Sequence, residues 1–265
     1  LAPGLLPLAG VLRVRKTDLT HRVLLCVIQR TAAESVDLFR PSLKDIPFPV
    51  HKTPGFRYYF DNPAFGYADG SILHAMLREY RPKRLIEVGS GYSSACSIDT
   101  IDRYLKGQVD VTFVEPYPAL LLELIGEDRA RQCTIHPTKV QNTDVSLYAS
   151  LEAGDFLFID STHVMKTGSD VCYELFNILP ALKAGVYVHL HDVFWPFEYP
   201  ESWVMGDNRS WNEIYGLQAF LMYNDAFRIE FFNDYFVRNH ADVVHRDYPA
   251  MFGNSGGSIW LKKLR

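Results

Sequence analysis

The sequence has no CxxC pair, no apolar run of membrane-spanning length and no excess of basic residues. Its four cysteines, Cys26, Cys96, Cys133 and Cys172, are widely scattered. That spacing speaks against a zinc cluster or a disulfide framework and for thiols kept reduced, so a cytoplasmic location is expected. No segment approaches the roughly 18–20 apolar residues of a membrane span. The apolar opening from Leu1 to Leu12 is broken by Pro3 and Pro7 and lacks a basic flank, so it does not read as a signal peptide. With 27 Lys+Arg against 31 Asp+Glu the net charge is −4, which gives no general attraction to nucleic acid or to an anionic membrane surface. The GxSxG turn of a serine hydrolase and the P-loop are both absent. What remains is a 265-residue chain, 48% hydrophobic, long enough for one sizeable α/β domain with an extension. Aromatic residues crowd into Phe56–Phe65 and Phe194–Phe236, which suggests an aromatic-lined cavity.

From Lys83 onward apolar runs alternate with helical patterns. Strands are expected over Arg84–Val88, Val111–Glu115, Gln132–His136, Asp155–Asp160 and Gly185–His191. Helices are expected over Asp69–Tyr80 with Asp69 as N-cap, Tyr92–Tyr104, Ala119–Ile125, Ser146–Leu151, Ser169–Leu182 and Trp211–Tyr223. Two closing strands, Phe227–Asn233 and Ser258–Lys262, are read as an antiparallel addition joined without a helix. The fold class is therefore α/β: a Rossmann-like, doubly wound, mostly parallel seven-stranded sheet with an antiparallel edge strand and an N-terminal extension. Residues 1–60, where Val23–Ile28 is either a strand or a buried helical turn, read as that extension: a lid, a dimerisation arm or both. Residues 61–265 read as the cofactor-binding domain.

Ligands of such sheets sit beyond the carboxyl ends of the strands. Each expected strand end carries polar residues: Glu87 to Ser94, Glu115, Lys139 to Gln141, Asp160 to His163, and His191 with Asp192. Strand, glycine turn, helix, strand and acid is the layout of a nucleotide-binding βαβ unit, in which the acid accepts the ribose hydroxyls. The third glycine of a dinucleotide turn is replaced by Ser94, and an acid, Glu87, precedes the turn. Both depart from a dinucleotide fingerprint.

Glu87-Val-Gly89-Ser-Gly91, Ile159-Asp160-Ser-Thr-His163 and Val188-His-Leu-His191-Asp192, with the Trp195–Pro200 loop, resemble the class I S-adenosylmethionine-dependent methyltransferases, in particular a bacterial group related to the catechol-type O-methyltransferases. The resemblance covers roughly residues 60–265. It implies that Glu87, Gly89, Ser90, Gly91 and Tyr92 border the methionine part of S-adenosylmethionine, that Ser93 and Ser94 add hydrogen bonds, and that Glu115 holds the ribose. It implies further that Gln141 lies by the adenine, Asp160 sits at the reaction centre, and Asp61 and Tyr67 close over the cofactor. Catechol-type relatives carry a lysine base three residues after the first carboxylate; here that place holds His163, a general-base candidate supported by Asp160 and Asp192. The same relatives bind magnesium, which implies either a divalent metal (Mg, Mn, Fe or Zn) at Asp160, His191 and Asp192, with the imidazole favouring the transition metals, or, without a metal, His191 as a second base or a hydrogen-bonding group. His189 reads as a core residue. The acceptor is expected to be a small-molecule or glycan-type hydroxyl, with neither nucleic acid nor membrane as a partner, and a homodimer stays open. The rival readings are an NAD-dependent oxidoreductase and a catalytically silent binding module.

Overall fold

The computed structural model describes residues 37–265. The Val23–Ile28 expectation lies outside the described residues. Among the described residues seven strands form one sheet: β1 (Arg84–Val88), β2 (Asp110–Val114), β3 (Thr134–His136), β4 (Phe156–Ile159), β5 (Tyr187–Leu190), β6 (Phe227–Phe232) and β7 (Ile259–Lys263), in the order β3-β2-β1-β4-β5-β7-β6. The first five run parallel, and β7 is antiparallel to both of its neighbours. The antiparallel strand is thus one place in from the edge, and β6 closes the sheet.

The short central strands are apolar at nearly every position because both faces are covered. Side chains alternate between two cores. Leu85, Phe113, Phe156, Phe158 and Trp260 face the helices Tyr67–Tyr80 and Tyr92–Tyr104. Ile86, Val88, Leu157, Ile159, Val188 and Leu190 face the helical segments from Asp170 and from Glu213. Phe39, Leu43, Phe48, Tyr58 and Phe60, from the region before residue 61, are buried in the first of these cores.

Four local expectations are corrected. The helix Tyr67–Tyr80 begins after Gly66, and Asp69 is no cap; it is buried and accepts hydrogen bonds from Asn233 Nδ2 (3.0 Å), Gly257 N (3.2 Å) and Ser258 Oγ. The expected helix Ser169–Leu182 starts at Asp170, capped by Ser169, and contains a π-helical turn, Glu174–Ile178, ahead of Pro180, whose ring nitrogen has no amide hydrogen to donate. The helix expected from Trp211 starts at Glu213, because Asn212 N and Glu213 N both donate to His163 O, at 3.0 and 3.2 Å. Between β6 and β7 lie two helices, Asn233–Asn239 and Ala241–Asp247, and a 3-10 turn, Pro249–Gly253.

Candidate active site

The carboxyl end of β1 meets the end of β4 at a crossing tight enough to dictate a residue. Asp160 N donates to Val88 O at 2.8 Å, and Gly89 N donates to Val114 O at 3.1 Å. Gly89 has φ +76°, and a Cβ there would lie 1.8 Å from Asp160 O. Only glycine satisfies both conditions. Gly91 differs: a Cβ there would meet just Leu120 Cδ2, at 3.6 Å, an ordinary contact, so packing within the chain does not demand glycine.

Below the turn, Glu87 is fully buried. Its Oε1 accepts from Ser93 Oγ (2.6 Å) and Ser94 Oγ (2.9 Å), while Ser94 Oγ accepts from Gly91 N (3.0 Å). Both serine hydroxyls are spent inward, bracing the turn rather than reaching the cleft. Burial pushes the Glu87 carboxyl up to about 8 against the pull of the two serines, and the charges of Asp160 and Glu115 add to the rise. The folded chain therefore keeps a proton that the unfolded chain has lost above about pH 4.5, and stability should fall as pH rises from there toward 8. Glu87→Gln, which retains an acceptor for both serines, is expected to flatten that slope in urea denaturation at about pH 5 and pH 8. An unchanged slope would refute the assignment.

Glu115, at the end of β2, faces the same turn. Its Oε2 accepts from Ser90 N at 3.1 Å and from Ser90 Oγ at 3.5 Å, and its Oε1 from Tyr117 N at 2.7 Å. Oε1 keeps a lone pair for a further donor. Tyr92 is half-buried, its ring edge-on to Tyr59 at 5.8 Å. Gln141 lies on a 3-10 turn, its Nε2 donating to Gly168 O at 3.1 Å. Asp61 is exposed and pairs with His51 at 3.3 Å, while Tyr67 stacks on Phe60.

At the ends of β4 and β5 the chain brings Asp160, His163, His191 and Asp192 together. His163 Nε2 lies 3.4 Å from Asp160 Oδ1 and 3.4 Å from Asp192 Oδ2. His191 Nδ1 lies 3.4 Å from Asp160 Oδ1 and 3.7 Å from Asp192 Oδ1, and its Nε2 faces Asp69 Oδ2 at 3.6 Å. Donor atoms of Asp160, His163 and Asp192 all lie within 4.8 Å of one another, so His163, not His191, completes the convergent group. Two of these residues have left-handed backbones, His163 at φ +60° and Asp192 at φ +55°. Such conformations are uncommon for residues with a Cβ and collect at functional sites.

The electrostatics follow from crowding four ionisable groups into a half-dry cleft. Burial would lower the His163 imidazolium, but Asp160 and Glu213 outweigh it and push the pKa up to about 10. Burial likewise opposes the charge on His191, and Asp192 and Asp160 override it, holding that imidazole well above the ordinary histidine range. Burial would raise Asp160 too, yet His191 and His163 keep it well below the usual carboxylate range. Asp192 is raised by burial, which its two histidine neighbours only partly offset. His189 is buried, stacked on Phe158 at 3.7 Å and bonded to Ser258 Oγ at 2.9 Å, a core residue.

Sequence reasoning missed two participants. Glu213 is buried and its Oε2 is 2.8 Å from His163 Nδ1. Trp211 packs on the His163 ring at 4.4 Å and begins an aromatic wall with Tyr199 and Trp203, where Arg209 lies 4.0 Å from the Trp203 centroid and 4.7 Å from that of Trp211. The one available signal for Glu213 was a lone acid inside the apolar helix Glu213–Leu221.

The sheet order, with a glycine turn after β1 and an acid after β2, is that of a Rossmann-like, mostly parallel α/β fold. Residues 86–193, somewhat under half of the chain, match a family described as a methyltransferase domain. The chain is 32% identical over 95 residues to an uncharacterized protein of Archaeoglobus fulgidus, an alignment covering 36% of this chain and 42% of that protein. The chain thus spans about two fifths of the length of the curated relative it matches. Among solved structures it is similar to an SAH-bound methyltransferase of Podospora anserina, at TM-score 0.49 and 15% identity with all of both chains covered. It is also similar to an O-methyltransferase of Bacillus cereus in complex with SAH, at TM-score 0.46 and 14% identity over 95% of this chain and 93% of that one.

Proposed function

We propose that this chain transfers the methyl group of S-adenosylmethionine to a hydroxyl oxygen of a small-molecule or glycan-type acceptor. The observation that carries the reading is convergence: the glycine turn after β1, the Glu115 carboxylate after β2 and the Asp160–His163–Asp192 group all lie at the carboxyl ends of neighbouring strands. The methyltransferase-domain match over the same stretch supports it.

In this reading Glu115 accepts the two ribose hydroxyls, and the backbone from Gly89 to Tyr92 borders the methionine portion. Gln141 flanks the adenine. Methyl transfer from a sulfonium is an in-line displacement, so the protein must align the acceptor, exclude water and dispose of one proton. The aromatic wall from Tyr199 to Trp211 suits the first two tasks. Asp160 and Asp192 orient the acceptor. His163 is the proton acceptor if its Nε2 is free during turnover, which requires that the raised pKa be brought down on complex formation.

Two carboxylates and an imidazole within 4.8 Å also fit a divalent cation, the residues that would hold it being Asp160 and Asp192 with a histidine. A bound cation there would lower the pKa of the acceptor hydroxyl. Among the described residues no helix is long and apolar enough to cross a membrane.

The test is calorimetry with S-adenosylmethionine and S-adenosylhomocysteine. Both are expected to bind, and Glu115→Ala is expected to weaken binding by about 10- to 100-fold, the worth of hydrogen bonds to a charged acceptor. Absence of binding by the well-folded protein would refute the reading. An undiminished affinity in the variant would remove Glu115 from the ribose.

A further inference from the structure

We propose that Arg209 reads a negative charge on the methyl acceptor, so that the substrate is a hydroxyl compound that also carries a carboxylate or a phosphate. The proposal rests on the methyl-transfer reading and names the class of acceptor that the same site takes.

The stretch from Phe194 to Asn212, which supplies the aromatic wall beside His163, contains one basic residue, Arg209, against three acids, Glu198, Glu201 and Asp207. Glu198 is occupied within the wall: its Oε1 accepts from Tyr199 N at 3.2 Å and from the hydroxyl of Tyr215. Arg209 is placed by a tight return of the chain. Arg209 N donates to Trp203 O at 2.9 Å and Asp207 N donates to Ser202 O at 3.0 Å, while Asn208 takes a left-handed φ of +54°. The return lays the guanidinium in the corner between two indoles that meet at 87°, those of Trp203 and Trp211. A cation is attracted to aromatic faces, and these two restrict a side chain that otherwise samples many rotamers. The guanidinium is thus ordered before a ligand arrives, which removes part of the entropy that binding costs.

The fold orders this group without using up its donors. A guanidinium carries five N–H groups. Nε of Arg209 faces Asp207 Oδ2 at 3.3 Å, and among the described residues nothing accepts from Nη1 or Nη2. Arg57 and Arg84 differ: each spends its guanidinium on a buried carboxylate, Asp99 or Asp155, at 2.8 Å. With the side chain 36% exposed, the Arg209 fork is open to solvent and steadied from behind. Such a planar fork matches the paired oxygens of a carboxylate or a phosphate.

Trp211 gives the fork its place in the reaction. One indole touches both groups, with the His163 ring 4.4 Å and the Arg209 guanidinium 4.7 Å from its centroid. A small acceptor laid along Trp211 presents its hydroxyl to Asp160, His163 and Asp192 and its anionic group to Arg209. The reaction centre offers that anion no rival cation, because His163 and His191 each face carboxylate oxygens at 3.4 Å.

The experiment uses the full chain saturated with S-adenosylhomocysteine and titrated by calorimetry with three charged probes: glucuronate, glucose 6-phosphate and caffeate. Glucose and the methyl ester of caffeate are the uncharged counterparts. We expect at least one charged probe to bind at least about tenfold more tightly than its counterpart, the worth of a charge-assisted hydrogen-bond pair, and the arm that does so tells carboxylate from phosphate. Arg209→Gln should bring that ratio to within about twofold of one, and Arg209→Lys, which keeps the charge but not the fork, should restore part of it. In transfer of labelled methyl groups into a cell extract, the labelled products should be retained on an anion exchanger, and Arg209→Gln should raise KM far more than it lowers kcat. Equal binding of charged and uncharged probes to the wild type would overturn the proposal, as would uncharged labelled products. A ratio that survives in Arg209→Gln while both affinities fall would show that Arg209 only staples the loop, and would overturn it too. Failure of the donor and of S-adenosylhomocysteine to bind would sink the methyl-transfer reading and this proposal together, whereas donor binding with uncharged products would sink this one alone.

Discussion

Asp160→Asn is expected to lower methyl transfer by about a thousandfold while changing donor affinity by less than about tenfold. The backbone role of the residue is preserved, because its amide still bonds Val88 O and its carbonyl still rests against Gly89. What disappears is the charge facing both His163 and His191 at 3.4 Å. Losing one preorganised electrostatic partner at a reaction centre costs about 10²–10³ in rate, and this one serves two neighbours. The measurement is single-turnover transfer of labelled methyl groups into the small-molecule fraction of a cell extract, beside calorimetry for the donor. Activity above about a tenth of wild type would remove Asp160 from the chemistry.

The second large effect is structural. Gly89→Ala should cost about 3–5 kcal/mol, at the upper end for single substitutions, because the new methyl group meets a main-chain oxygen at the crossing of two central strands and the φ of +76° is unfavourable for alanine. Gly91→Ala is the control. Its methyl group finds only the movable end of Leu120, so stability should change by less than about 1 kcal/mol, while donor affinity falls by at least about tenfold if, as proposed, the methionine portion of the donor lies against this turn. Urea denaturation and calorimetry on both variants check the pair. Equal stability losses would mean that the two glycines serve the same purpose, contrary to the geometry.

The elements that sequence reading located best are those whose signal is local. Arg84–Val88 and Tyr92–Tyr104 are found with the expected bounds, because a strand buried on both faces is apolar throughout and the glycine turn marks where the helix begins. The acids at the strand ends were legible for the same reason. Asp69 shows the limit of such reading. An acid near a helix start looks like a cap, yet this one is claimed by Asn233 and Ser258, more than 160 positions away, as the separations of 164 and 189 residues record. Glu213 was missed likewise, since its partner lies 50 positions upstream and no periodicity links them. The two helices between β6 and β7 went unread because their aromatic residues, Tyr235 and Phe236, have no single-face spacing in so short a segment. His163 was found, but its left-handed backbone and its carboxylate partner, which decide what it can do, are tertiary facts.

The position of β7 bears on how the molecule comes together. β6 precedes it in the chain and, among the described residues, pairs only with β7, so β6 joins the sheet through the strand that follows it. That connection spans the helical segment 233–258, and loop-closure entropy slows the completion of this edge. Because Ser258, at the threshold of β7, also grips Asp69 behind His191, the cluster of histidines and aspartates gains its backing only when β7 is in place. A protease that nicked the linker just before Ser258 would leave most of the sheet standing and that cluster without its back wall.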